Sequence, residues 1–179
     1  MDTTNKIGSP LLWSLVRIWA GARADGQIPR KSSIDPIDLG HAGLLPYIWI
    51  ARRHGNGQFV YQLAGEEIHL SHGVPLKGRS LFELYDAKNA QMVQDRWQEV
   101  LDREIASHSS GEVYSRAGRI FQGERLVLPL RDDQDGLNFI IGATVRTERI
   151  PDINEDHAEA FGPQQMAFIP LDVLTEESD

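Results

Sequence analysis

Two short stretches of this chain, Leu44 to Ala51 (LLPYIWIA) and Leu137 to Val145 (LNFIIGATV), are apolar at nearly every position. A strand with one wet face alternates apolar and polar residues, so an unbroken apolar run of this length reads as a strand covered above and below. Two such strands require a sheet with a packed layer on each side. One layer is visible ahead of them. Ser9-Pro10 reads as a helix start, proline being favoured at the first helical position where its missing N–H costs nothing. Leu12, Leu15, Val16 and Trp19 then fall on one stripe that Leu11, Ile18 and Ala22 widen, up to a stop at Asp25-Gly26. This helix is expected to cover one face of the sheet, and a stripe this broad also offers a dimerisation or partner surface.

The stretch from Phe59 to Leu84 changes period halfway. Phe59, Tyr61 and Leu63 alternate as a strand, Gly65 ends the run, and Gly73, Pro75 and Gly78 restrict the second half to short helical turns. Short turns close-pack a sheet less completely than one long helix, which leaves room for a small-molecule pocket. Asn56-Gly57 is a strong hairpin signal. Taken as a two-residue turn, it sets Gly55 opposite Gln58, Ile50 opposite Leu63 and Arg52 opposite Tyr61. Ile48 and Ile50 would then share the pocket face with Tyr61 and Leu63, while Tyr47 and Trp49 would meet the N-terminal helix near Trp13 or Trp19; a slip of one residue exchanges the two sets.

The strand ending in Leu63-Ala64-Gly65, followed by Leu76-Lys77-Gly78-Arg79-Ser80-Leu81-Phe82-Glu83-Leu84, resembles the PAS family, in which a glycine-arginine-apolar turn precedes the long helix. Gly26 to Arg30, Ile34 to Leu39 and Leu126 to Leu130 are similar to a bacterial single-domain branch of it, and the likeness spans about Leu11 to Val145. It implies an α+β fold: a five-stranded antiparallel sheet with short helices and one long helix on one face, its first and last strands adjacent in the middle, and the N-terminal helix on the other face. It also implies a sensory or regulatory module with a small-molecule ligand or a protein partner such as a signalling kinase. A homodimer through the N-terminal helix fits the same picture.

The chain divides into an N-terminal helix and connector (1–43), a core (44–149) and an acidic tail (150–179). In the connector, Asp35 and Asp38 read as helix caps; pairing them with His41 as a metal site has weaker grounds, since ligand types three residues apart recur by chance. Asp86 to Ile105 reads as the long helix, with Val93, Trp97, Val100, Leu101 and Ile105 on its inner side. Strands at about Gly111 to Ala117, Ile120 to Leu130 and Leu137 to Val145 come next as a meander, with turns at Ala117-Gly118 and Asp132 to Gly136. Pro129 inside the second calls for a bulge. The tail is expected to be loosely held except for Met166 to Leu174 (MAFIPLDVL), apolar enough to dock as an irregular strand or short helix.

Composition excludes several functions. With no cysteine there is no thiol nucleophile, zinc-thiolate site or cysteinyl-flavin photochemistry. A net charge of -8 with scattered Lys and Arg opposes nucleic acid. No apolar run approaches the roughly 20 residues that cross a bilayer, and Met1 to Gly8 lacks a signal-peptide pattern, so a cytoplasmic module acting without an attached enzyme domain is expected. No Gly-x-Ser-x-Gly elbow and no phosphate-binding glycine loop is present, and no catalytic residue stands out. The candidate ligand-binding residues are Ile50, Tyr61, Leu63, His69 and His72. Tyr61 would offer a phenol to a ligand. His69 or His72 would act as a haem ligand of the kind some PAS relatives use, although a polar outer face of a short turn accounts for both more simply. The cofactor stays open. Two rivals come from other classes: a small cone-like enzyme with His41, His69 or His72 facing a carboxylate in a closed cavity, and a ligand-free interaction adaptor with a filled core.

Overall fold

The computed structural model describes residues 7–116, 119–147 and 165–177. Its elements run in the order α1 (Pro10–Gly21), α2 (Pro36–His41), β1 (Ile48–Arg53), β2 (Phe59–Ala64), α3 (Glu66–His72), α4 (Leu81–Leu84), α5 (Ala87–Asp102), β3 (Ile105–Arg116), β4 (Arg119–Leu130), β5 (Phe139–Arg146), β6 (Gln165–Pro170) and α6 (Leu171–Glu176). The strands form one antiparallel sheet in the order β2-β1-β5-β4-β3-β6. β1 and β5, the two doubly apolar segments, are neighbours, with Ile50 opposite Ile141. The sheet has six strands rather than the expected five: Met166 to Leu174 docks on the edge of β3 as β6 and then turns into α6. Rich in apolar side chains, it covers an edge that would otherwise expose unpaired backbone groups.

α1 packs on one face of the sheet. Leu12, Leu15, Val16 and Trp19 are buried against Ile48, Ile50, Leu126, Leu128 and Ile141 in one aliphatic cluster. At roughly 1.5–3 kcal/mol for each such side chain, this docking holds the helix to the sheet. Two polar contacts fix its ends. The Glu124 carboxylate accepts from the Gly8 N–H and from His108, each at 2.9 Å, and Trp19 Nε1 donates to the Pro129 carbonyl at 2.8 Å. The helix ends at Gly21, ahead of the expected stop; Asp25 and Gly26 lie in the turn beyond it, both at positive φ. α2 begins at Asp35, whose carboxylate accepts from the Ile37 N–H.

The opposite face carries α3, α4 and α5. α5 ends at Asp102 and not at Ile105, because Glu104 adopts a left-handed conformation (φ 53) that ends the helix and lets Ile105 open β3. Ile105 to Ser110 is therefore strand, concealed in the sequence by its serines and histidine. Pro129 needs no bulge. It pairs with Ile140 on β5, while the β3–β4 ladder closes at Ser107–Val127 and makes no demand for its absent N–H. The turn expected at Ala117-Gly118 and the tail through residue 164 lie outside the described residues.

The β1–β2 hairpin departs from the expected register twice, and the two departures cancel. The loop is Gly55-Asn56-Gly57, closed by a bond from the His54 N–H to the Gln58 carbonyl at 2.9 Å, with Gly57 at φ +82. This puts Arg52 opposite Val60 instead of Tyr61. The register then shifts between Ile50 and Ala51, leaving Gln62 without a partner and restoring Ile50 opposite Leu63. A bulged residue turns its two neighbours to opposite faces. Tyr61 points to the α5 side, whereas Leu63 shares the face of its partner Ile50, on the α1 side. The expected face assignment is thereby reversed: Ile48 and Ile50 lie under α1, and Trp49 lies under α5.

Candidate functional site

The α5 face is built around aromatic rings. Trp49 lies flat against Gly142, its strand partner on β5, where an added Cβ would sit 2.2 Å from the indole. On its other side Trp97 of α5 stacks at 4.6 Å, and Phe59 and Tyr61 approach Trp97 edge-on at 5.4 and 5.7 Å. Edge and stacked pairs of this kind add about 0.5–1.5 kcal/mol each beyond burial. These rings fill the space between Trp49 and α5. Beside the rings, between α5 and the sheet, lies a space of about 20 Å³ bordered by Val93, Arg96, Trp97, Ser107, Ser109, Arg125, Val127 and Met166.

Toward that void the interior becomes polar. Arg125 donates Nε to Thr144 Oγ1 at 3.1 Å and Nη2 to the Val113 carbonyl at 2.9 Å; Thr144 Oγ1 also accepts from Trp49 Nε1 at 3.1 Å. Burial lowers the Arg96 pKa, and the Arg125 charge lowers it further. On α3, His72 places Nδ1 2.8 Å from the Ile68 carbonyl and Nε2 2.5 Å from the Tyr85 hydroxyl. A carbonyl only accepts, so Nδ1 carries the proton and Nε2 receives the phenol O–H. Burial first, and the charges of Arg125 and His69 after it, pull the His72 pKa down to about 4, against a hydrogen bond to Ile68 that raises it. The ring is neutral at physiological pH. Among the described residues, two buried side-chain atoms, His69 Nε2 and Gln94 Oε1, have no hydrogen-bond partner.

The five residues anticipated as ligand contacts do not converge. Tyr61 is in the aromatic cluster, and His69 and His72 are on α3 at its polar end. Ile50 is buried beneath α1 on the far side of the sheet, and Leu63 is 44% exposed. Both ring nitrogens of His72 are engaged by Ile68 and Tyr85, leaving neither directed at a metal. Among the described residues no group of three His, Cys, Asp or Glu side chains is placed to hold a metal ion. The His–carboxylate contact between His108 and Glu124 belongs to the packing under α1, where the imidazole side chain is 1% exposed.

Sequence reasoning passed over Arg96, Ser107, Ser109 and Arg125. One sign of Arg125 was present. Leu126, Leu128 and Leu130 face α1, so Arg125 and Val127 share the alternate parity, and that parity faces the interior as well.

The chain matches the family model described as "PAS domain" over residues 9–145. No curated protein matches it. Among solved structures, the PAS domain of BvgS from Bordetella pertussis is similar at 17% identity and TM-score 0.49, covering 60% of this chain and 80% of that one. The VqmA dimer of Vibrio cholerae is similar at 16% identity and TM-score 0.49, over 64% of this chain and 53% of that one, about half its length. A variant of Vivid is similar at 15% identity and TM-score 0.48, covering 82% of this chain and 100% of that one. Likenesses at these scores decide nothing by themselves; the order of the strands and the match along residues 9–145 do, and by them the chain belongs to the PAS domain family.

Proposed function

We propose that this chain is a regulatory PAS module that acts through protein contacts with its interior closed, and that α1 is the element through which its state is passed on. The observation that carries this reading is the stack of Trp49 on Trp97, which fills the α5 face with rings; the space beside it, between α5 and the sheet, is about 20 Å³. That space is about one water molecule and far below the several hundred Å³ of an ordinary ligand site. Partners consistent with the family are a signalling kinase or a second copy of the chain. The apolar stripe of α1 is used on the sheet, so α1 would deliver its output by repacking or exchanging partners, a two-state element in the usual sense.

A second reading, in which the module senses a small molecule, is favoured by the unpartnered His69 Nε2 and Gln94 Oε1, since buried polar atoms without partners are costly. Native mass spectrometry and an absorbance spectrum of the purified full chain decide between the two. The closed-interior reading expects bare chain or its multiples and no visible absorbance. A retained organic molecule or a haem or flavin band overturns it.

A further inference from the structure

At one end of the sheet, the turn after α1, the turn between α5 and β3, the β4–β5 loop and the start of α6 surround an open cleft of about 690 Å³. That volume is within the range of ordinary small-molecule sites. Among the described residues, three that are not glycine have positive φ: Asp25 (52), Glu104 (53) and Asp135 (65). Glu104 and Asp135 line this cleft, and Asp25 stands next to Gly26, which lines it too. A left-handed backbone is unfavourable for residues with a side chain, and such residues gather where a surface is shaped to hold something. Here three turns, far apart in sequence, bring it to one place.

The cleft is layered by charge. Arg23 and Arg131 stand deep in it, their side chains 15% and 21% exposed. Both are anchored by neutral carbonyls: Arg23 Nε donates to Gln27 at 3.3 Å and its Nη2 to Gly26, while Arg131 Nε donates to Ile28 at 2.6 Å. The carboxylates are at the mouth. Asp135 is committed to Arg30 at 2.8 Å and to Arg131 at 3.2 Å. Asp172 is 90% exposed and 3.9 Å from Arg23, an ion pair too open to water to count for much. Glu104 is exposed and forms no ion pair among the described residues, and Arg103 beside it turns to Glu99 and to the Phe168 ring. Ile28, Ile105 and Leu171 supply a buried apolar floor. A simple anion entering here meets the carboxylates of the mouth, and a simple cation meets the deep arginines; a molecule carrying both charges satisfies both layers.

We infer that this cleft binds a free amino acid with an apolar side chain, its carboxylate on Arg23, its ammonium group at Glu104 and Asp172, and its side chain over Ile28 and Leu171. The bound molecule bridges the turn that ends α1 and the turn that ends α5, and so links the layers on the two faces of the sheet. The cleft lies outside the packed interior, so a ligand reaches it even with that interior closed.

The test reads the melting temperature of the full chain in leucine, in leucinamide, which lacks the carboxylate, and in 4-methylpentanoate, which lacks the ammonium group. Leucine gives a saturable rise of about 4 °C at a tenfold excess over Kd, and neither analogue matches it. Asp172→Asn, at an exposed position, weakens leucine by about fivefold and leaves 4-methylpentanoate unchanged. Arg23→Gln abolishes the rise. Amide cross-peaks of the unmutated chain move with leucine at Gly26, Glu104 and Asp172, a readout that holds even if Arg23→Gln fails to fold. Identical melting curves with and without leucine, an equal rise with either analogue, or cross-peak movements confined to residues away from the cleft overturn the assignment.

Discussion

The two faces of the sheet are packed by different chemistry. The α1 face is aliphatic, with Leu, Ile and Val side chains from α1, β1, β4 and β5 meeting in one cluster whose main polar contacts stand at the two ends of the helix. The α5 face combines four aromatic rings with Arg125, Thr144, His72 and Gln94. Aliphatic packing is forgiving, because many arrangements of similar volume cost little. Aromatic stacking beside hydrogen-bonded polar side chains is specific and fails sharply when a partner is lost. The contrast identifies the α5 face as the layer where a small change has a large structural effect, and the α1 face as the layer that holds the fold together.

Truncation sets the scale of that contrast. Trp97→Ala removes the ring on which Trp49, Phe59 and Tyr61 converge and is expected to cost about 3–5 kcal/mol in urea unfolding, at the upper end of the core range. Leu15→Ala on the other face is expected to cost less, about 2–4 kcal/mol, because its neighbours can close partly around the gap. A larger loss for Leu15→Ala than for Trp97→Ala would break the comparison.

Acidification probes the α5 face next. His72 has a pKa of about 4 in the folded chain against 6.5 unfolded, so the unfolded state takes up the proton first. The contribution is complete above pH 6.5 and is lost as pH falls toward 4. At pH 5 the loss is about 2 kcal/mol. Unfolding free energies at pH 7.5 and pH 5 should show this difference in the native chain and a smaller one in His72→Gln. Equal differences in both proteins would remove His72 from the account.

The smallest effect is on the aliphatic side. Asp35→Ala removes the carboxylate that accepts the Ile37 N–H at the start of α2, whose Leu39 belongs to the α1 cluster, and is expected to cost about 1 kcal/mol. A loss comparable to that of Trp97→Ala would show that α2 does more than cap and cover.

Much of the layering could be read from residues alone, since the paired apolar runs at β1 and β5 admit few sheet arrangements and Ser9-Pro10 marks α1 directly. What sequence pattern could not supply was the parity of β2. Gln62 is an ordinary strand residue, and nothing in Phe59 to Leu63 reports that it is skipped, yet that skip separates Tyr61 from Leu63 and exchanges the faces of Trp49 and Ile50. The α5–β3 boundary was missed for a different reason. Ile105 continues the apolar stripe of the helix, and only the left-handed turn at Glu104 shows that the chain has changed direction. The site was harder still. Arg96 and Arg125 are far apart in sequence and acquire meaning only when α5 is laid across β4.

Glu124 and Arg125 are consecutive on β4, yet the first grips the peptide ahead of α1 together with a buried imidazole, and the second borders the arginine-lined void beneath α5. The shortest covalent route between the molecule's two outer layers is accordingly one peptide bond long. A tilt of that single unit would be registered above and below the sheet at once, with no chain of intermediaries to absorb it.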